Sequence, residues 1–232
     1  MHDLRDRRRL PLIDVTAATL KGYGCITMLF YAVSMSVIQN GILHVSRFSN
    51  GELREMWAAD ADLMVLSGWA AVFQLLGGLA VPVFAFLLVE GFLHTKSFRR
   101  YLLRMLLFAL VSEVPFTLAV GLIMLYGMKT FSASRVVQVL IAIAAVFWCA
   151  LMKTQFGLCM ILLIAVYYLL RDQKSKLWVG GVISLMYVTG PVSVFLLKRY
   201  NGRPGDGPNK YLFYCLYPLI LLILGVITYV IA

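Results

Sequence analysis

Glu90 and His94 stand four residues apart at the end of a long apolar stretch, and the basic hairpin of residues 94–100 (His-Thr-Lys-Ser-Phe-Arg-Arg) follows at once. On a helix that spacing sets the two side chains about 40° apart, one turn from each other on one face. A carboxylate beside an imidazole orients the ring and raises its basicity, as general-base removal of a proton from an amine or hydroxyl requires. The same pair would also suit a helix end, anchoring the hairpin at the headgroup level of a membrane. Beyond the hairpin, Arg104 and Glu113 lie nine residues apart, about 180° around a helix, so they cannot pair with each other. Arg104 can snorkel toward a surface. Glu113, about 18 Å along a helix from Tyr101, falls deep in apolar sequence. There a carboxyl is expected to face inward, either in a functional role or tied to backbone freed by Pro115. Glu90, His94 and Glu113 are therefore the candidate catalytic residues. Lys21, at the head of the first apolar stretch, serves either as an interfacial anchor or, with Arg104 and the 199–210 loop, as a holder of a nucleotide-bearing donor's phosphates.

The elements that position these residues are apolar. The chain is 61% hydrophobic and only 14% charged, with a mean hydropathy of +0.85, far from the composition of a soluble domain. Apolar stretches run over residues 22–43, 63–93, 101–126, 136–152, 156–170, 177–197 and 211–232. About 20 residues cross a hydrocarbon core of about 30 Å, so the expectation is an all-α, polytopic transmembrane bundle of seven spans, with six or eight as alternatives. Residues 156–170 are short for a span, and 63–93 are too long for one straight helix and carry Gly77, Gly78 and Pro82, where a kink belongs. Residues 1–232 form one membrane domain. Residues 44–62 read as an external loop, with a small amphipathic helix over 50–59 capped by Asn50, and 199–210 as a cytoplasmic Gly/Pro-rich loop.

The net charge of +10 is read as orientation. Basic residues before helix one, in the 96–104 hairpin, at Lys153 and in the 198–210 loop share one side of a seven-span arrangement. The positive-inside rule makes that side cytoplasmic, with the N-terminus there. Lys129, Arg135, Arg171, Lys174 and Lys176 then fall on the other side. Anionic lipid is the expected partner of the excess charge. No basic groove interleaved with aromatics argues for nucleic acid. The basic N-terminus runs into the first apolar stretch without an A-x-A-like site, which makes that stretch a retained span. Cys25, Cys149, Cys159 and Cys215 all fall in apolar sequence without C-x-x-C spacing, the pattern of buried free thiols and of neither a disulfide framework nor a metal site.

The run 81–95 (VPVFAFLLVEGFLHT), followed by Arg100-Tyr-Leu-Leu-Arg104 and by 108–116 (FALVSEVPF), resembles a block of the TraX family of membrane proteins. Shorter echoes are Leu20-Lys21 with Met28, Tyr200-Asn201-Gly202 with Gly205, and 213–218 (FYCLYP). In order, they extend over nearly the whole chain. The resemblance implies a polytopic inner-membrane fold related to transmembrane acyltransferases. It also implies acetylation of a pilin N-terminus in conjugation systems, with acetyl-CoA or another acyl-CoA as cytoplasmic donor. On that reading Lys21, Arg104 and the turn of Tyr200, Asn201 and Gly202 would bind the donor's phosphates. The chain departs from the family at Tyr31-Ala32, where Asp-His is usual, at Gly78 for an arginine, at Gln155-Phe156-Gly157 for Asp-Tyr-Gly, and at Ile220 for a histidine. Two functions stay open: an acyltransferase with its base relocated to Glu90 and His94, or a catalytically degenerate member acting as a membrane binding or assembly subunit. A channel or transporter, with Glu90 and Glu113 along an ion path, is less favoured because no internal repeat is visible.

Overall fold

The computed structural model describes residues 15–109, 113–154, 156–171, 173, 175–203, 205 and 210–231. The side chains of residues 50, 54, 108–109, 113–115 and 210–218 are outside that description. The basic lead-in before residue 15, Gln155, residues 206–209 of the Gly/Pro-rich loop and the side chains of the 213–218 motif therefore lie outside the described residues.

All the long elements are helices. In chain order they are α1 (Ala17–Val33), continued by a π-helical segment (Ser34–Ile42), then α2 (Asn50–Ala59), α3 (Ala61–Gly78), α4 (Ala80–His94), α5 (Phe98–Ala109) and α6 (Glu113–Thr130). They continue with α7 (Arg135–Leu151), α8 (Gly157–Leu169), α9 (Lys176–Ser184), α10 (Gly190–Lys198) and α11 (Lys210–Ile231). Among the described residues two helical runs, Ala17–Ile42 and Ala61–His94, are long and apolar enough to cross a membrane.

Local chemistry accounts for the boundaries. Thr16 caps α1 by accepting from the Thr19 N–H, and Asp60 caps α3 by accepting from the N–H groups of Asp62 and Leu63. The short helix expected over 50–59 is present, but its cap is Ser49 rather than Asn50. The Ser49 hydroxyl accepts from the Glu52 N–H, and the Glu52 carboxylate accepts from the Ser49 N–H at 2.7 Å, a capping box. These bonds to Ser49 hold the Glu52 carboxyl below its ordinary range. A depressed folded pKa contributes stability above the unfolded pKa and loses it as pH falls through the folded one. Protection of the Ser49 and Glu52 amides, taken relative to the intrinsic exchange rate at each pH, should accordingly be high at neutral pH and fall once acid protonates this carboxyl. Protection that stays flat to the acid side would show that the box does not hold the helix start.

The run Ala61–His94 is interrupted at Leu79 alone and continues as one helical run. Leu79 remains in the right-handed helical region, but its N–H turns to the Leu76 carbonyl, and Pro82 has no N–H to give. Two hydroxyls, one just before α10 and one within it, bond to carbonyls around this point, and the first fills the place that the Leu79 N–H leaves. Thr189 donates to the Leu75 carbonyl, and Ser193 donates to the Leu79 carbonyl at 2.6 Å. In an apolar setting carbonyls left without a donor are costly, so these contacts lock α10 against the interruption.

Two of the seven expected spans are hairpins. Residues 101–126 divide into α5 and α6, which lie side by side and antiparallel, with Phe98 stacked on Tyr126 at 4.3 Å. Pro115 sits in the first turn of α6, where a missing N–H costs nothing. Residues 177–197 divide into α9 and α10, which fold back through residues 185–189, with Gly190-Pro191 opening α10. An apolar stretch of some 20 residues fits either one crossing or two half-length helices, which is why length alone misled. The consequence is a correction to the charge partition. Lys129, Arg171 and Lys176, placed opposite His94 by a seven-span arrangement, come to the His94 end.

The 156–170 stretch, short for a span, makes the central helix α8. Ile161, Leu163 and Ile164 are fully buried, and α4, α6, α7 and α9 pack around it. A helix apolar on all sides is satisfied only by such enclosure. Cys25, Cys149 and Cys159 are free thiols.

Candidate functional site

One face of α4 carries Phe86, Glu90 and His94 at four-residue intervals, and this stripe organises the site. The His94 ring Nδ1 lies 2.8 Å from the Glu90 backbone carbonyl and 3.5 Å from the Glu90 carboxylate Oε2. Both of those groups only accept, so Nδ1 is the protonated nitrogen of the neutral ring and Nε2 carries the lone pair. The His94 side chain is 78% exposed and that of Glu90 25%, which leaves Nε2 open to a proton donor.

Rings line two faces of α4: Phe86 shares the face of the pair, and Phe92 lies about 200° around the helix from Glu90. Phe86 takes Tyr167 edge-on at 5.7 Å and Tyr200 edge-on at 5.4 Å, and Phe92 takes Phe98 and Tyr168 in the same way. Three cations stand over these rings: Lys176 over Phe86 at 5.9 Å, Lys129 over Phe92 at 5.7 Å, and Arg171 over Tyr168 at 5.7 Å. Ring faces attract cations at this range and steady their positions. Positive charge fixed over rings suits a phosphate-bearing molecule with a flat or apolar portion, with Lys176 on the Phe86 side of α4 and Lys129 and Arg171 on the Phe92 side. Sequence reasoning missed all three, because the span count assigned them to the wrong end. The signal available was Pro115, which suits the first turn of a new helix inside the supposed 101–126 span.

The Tyr200 turn is tied to the start of α1. Val15 and Tyr200 form a parallel bridge, the Asn201 N–H donates to the Val15 carbonyl at 3.1 Å, and the Ala17 N–H donates to the Arg203 carbonyl at 3.0 Å. The Asn201 side chain accepts from the Arg203 N–H at 2.9 Å. Gly205, at φ +72°, packs directly on Thr16, where a Cβ would collide with the Thr16 hydroxyl. Gly202, at φ +74°, is exposed. Burial, and then the negative charge of Glu90, push the Tyr200 phenol above its ordinary value. Tyr200 thus keeps its proton at neutral pH. Replacing Glu90 with glutamine removes the second cause, so the phenol should titrate at lower pH in Glu90→Gln than in the wild type. Carbon NMR of labelled tyrosine rings, assigned by Tyr200→Phe, would read this, and an unmoved titration would separate Glu90 from the phenol.

The other predicted residues are placed as follows. Lys21 is half-buried on α1, just inside the Thr16 cap, at the end where the Tyr200 turn docks. Arg104 is half-buried on α5, and its Nε donates to the Arg100 carbonyl within the same helix at 3.1 Å. Helix α5 packs on α6, whereas α1 packs on α3, α4 and α11, so Arg104 and Lys21 belong to different parts of the bundle. Glu113 opens α6, about 24 Å along the helix from Lys129, and its side chain lies outside the described residues. The structure thus gathers Glu90, His94, Tyr200, Asn201 and Gly202 at one end with the head of α1. Among the described residues no cluster of His, Cys, Asp and Glu could hold a metal ion.

Tyr31, where the TraX family usually has an acid, meets Phe156 edge-on at 4.7 Å and packs against Gly77, while Ala32 is buried. This stretch of α1 is filled by packing. Searches of curated proteins and of solved structures return no match. The family described as TraX protein matches residues 55–228, three-quarters of the chain and the whole of α3 through α10; the chain belongs to the TraX family.

Proposed function

We propose that this protein is a polytopic membrane acyltransferase that moves an acetyl or other acyl group from acyl-CoA to an amine or hydroxyl, such as the N-terminus of a pilin or peptide. The reading carries most on one observation: the His94 ring is held by the Glu90 carbonyl and carboxylate through Nδ1, with Nε2 left open. That nitrogen would take the acceptor's proton as the acceptor attacks the thioester carbonyl. The Glu90 carboxylate would stabilise the imidazolium, and coenzyme A would leave as the thiol. Lys176, Lys129 and Arg171, with Lys21 and the Tyr200–Gly202 turn, would hold the donor's phosphates. The basic end would face the cytoplasm of an inner membrane, where acyl-CoA is found, with anionic lipid around it.

Purified protein in nanodiscs, given labelled acetyl-CoA and a peptide with a free amine, should yield labelled peptide. A second reading has its own observation. The family's Asp-His positions hold Tyr31, packed on Phe156, and Ala32, buried without a base, as expected of a degenerate member that binds without turning over. Acyl-CoA binding with no transfer to any amine or hydroxyl acceptor would select that reading.

A further inference from the structure

Helix α5 divides into two faces. Phe98, Tyr101, Leu102 and Met105 turn inward and pack against the core. Arg99, Arg100, Leu103, Leu106 and Leu107 are exposed, and helical geometry gathers these five within about 120° of one another. They are also sorted along the axis. The two arginines stand in the first turn, at the His94 end, on a helix that runs back beside α6. The leucines follow about 5–12 Å further along, and Leu103 and Leu107 each keep more than half of their surface exposed. Contiguous apolar exposure of this kind marks an interaction surface.

The chain offers little countercharge for the arginines. Between Glu90 and Asp206 it holds thirteen lysines and arginines against two acids, Glu113 and Asp172, and Glu113 opens α6 beyond the far end of α5. An anion from outside the protein is therefore the partner that this end lacks. Phosphate matches the guanidinium fork in shape and charge, while leucines one to two turns further on suit hydrocarbon. An anionic phospholipid supplies both at that spacing, with its phosphate in the headgroup layer and its chains running inward. A soluble phosphate would satisfy the arginines and leave the leucines uncovered. A zwitterionic lipid would cover the leucines but bring its own cation to the arginines.

We propose that the exposed face of α5 seats an anionic phospholipid, its phosphate on Arg99 and Arg100 and one acyl chain along Leu103, Leu106 and Leu107. The seated lipid holds the hairpin that carries His94 at headgroup level, whether or not the protein transfers acyl groups. The test uses the full-length protein in phosphatidylcholine nanodiscs doped with a phosphatidylglycerol that bears a diazirine high in one chain. Photolabelling should saturate as the doped fraction rises and fall on the peptide holding residues 101–107. Unlabelled phosphatidylglycerol should compete, and glycerol phosphate should not. Arg99→Gln with Arg100→Gln should weaken labelling at least about tenfold, since each basic group counts for about fivefold at an anionic surface. Lys198→Gln with Arg199→Gln removes the same charge from exposed positions just before Tyr200 and should change labelling by less than about twofold. Leu103→Ala with Leu107→Ala keeps the arginines and should weaken it at least about threefold. Labelling that rises in proportion to the doped fraction marks annular lipid and overturns the proposal. An equal loss in the two charge-removing variants also overturns it, because diffuse attraction then accounts for the binding. Displacement by glycerol phosphate would replace the lipid seat with a soluble-phosphate site. If the arginine variant does not fold, the leucine variant decides, and undiminished labelling there places the chain elsewhere and ends the proposal.

Discussion

Replacing His94 with alanine should lower acyl transfer from acetyl-CoA by about 10²–10⁴-fold, the range that a positioned general base contributes. The loss should fall on kcat, with KM for the donor little changed, because His94 is a proton acceptor in this scheme and the phosphates rest on Lys176, Lys129 and Arg171. Glu90→Gln should cost less. The Glu90 backbone carbonyl, 2.8 Å from Nδ1, survives the substitution and still fixes the tautomer, so only the carboxylate's support of the imidazolium is lost. A fall of about tenfold, one decade being about 1.4 kcal/mol, is the expected size. The ordering matters more than either figure. If Glu90→Gln were as damaging as His94→Ala, the carboxylate itself would be the base. Full activity in His94→Ala, with the protein folded and binding donor, would remove the dyad from the chemistry altogether.

How much of this was legible beforehand follows from which signals are local. The Glu90–His94 pair was, because four-residue spacing on a helix brings two side chains together whatever the rest of the chain does. The bounds of α2 were also readable from composition, although the cap shifted by one residue to Ser49, where a serine three residues before Glu52 makes the reciprocal box. The interruption in Ala61–His94 followed from Pro82, but the contacts around it did not. Nothing in the sequence tells Thr189 and Ser193 that they will meet the carbonyls of Leu75 and Leu79. The largest miss was topological. Hydropathy reports that a segment dislikes water and is silent on whether it crosses or turns back. One such error, at α5–α6, carries Lys129 to the opposite end of the bundle and with it every assignment that depended on the count. Membership of the family was legible for a different reason: the block from Val81 to Phe116 is long and ordered, and did not depend on the span count.

The second large effect lies in the α9–α10 hairpin, at Gly190. A Cβ at this position would stand 2.5 Å from the Ser184 carbonyl oxygen and 2.9 Å from the Ser184 Cβ. Ser184 is fully buried, and the obstruction is backbone and its first side-chain atom, so no rotamer change relieves it. The hairpin must open or the α9 end must shift. Overpacking of this kind costs about 1–3 kcal/mol, and Gly190→Ala should sit at the upper end because Thr189, the next residue, is fastened to the Leu75 carbonyl. Gly181→Ala in the same hairpin provides the contrast: its Cβ would meet only Val194 Cγ2 at 3.9 Å, an ordinary contact, and alanine is the better helix former by about 1 kcal/mol. That variant should be neutral or slightly stabilising. The hairpin's two open ends carry Lys176 and, just beyond α10, Tyr200, which share the Phe86 ring. Spreading the helices at the turn should pull these ends off Phe86, so acyl-CoA affinity should drop together with the unfolding midpoint in Gly190→Ala and neither should drop in Gly181→Ala. Wild-type stability in Gly190→Ala would mean that α9 and α10 are not closed against each other. Lost stability with donor affinity intact would keep the hairpin but move the phosphate-binding groups elsewhere.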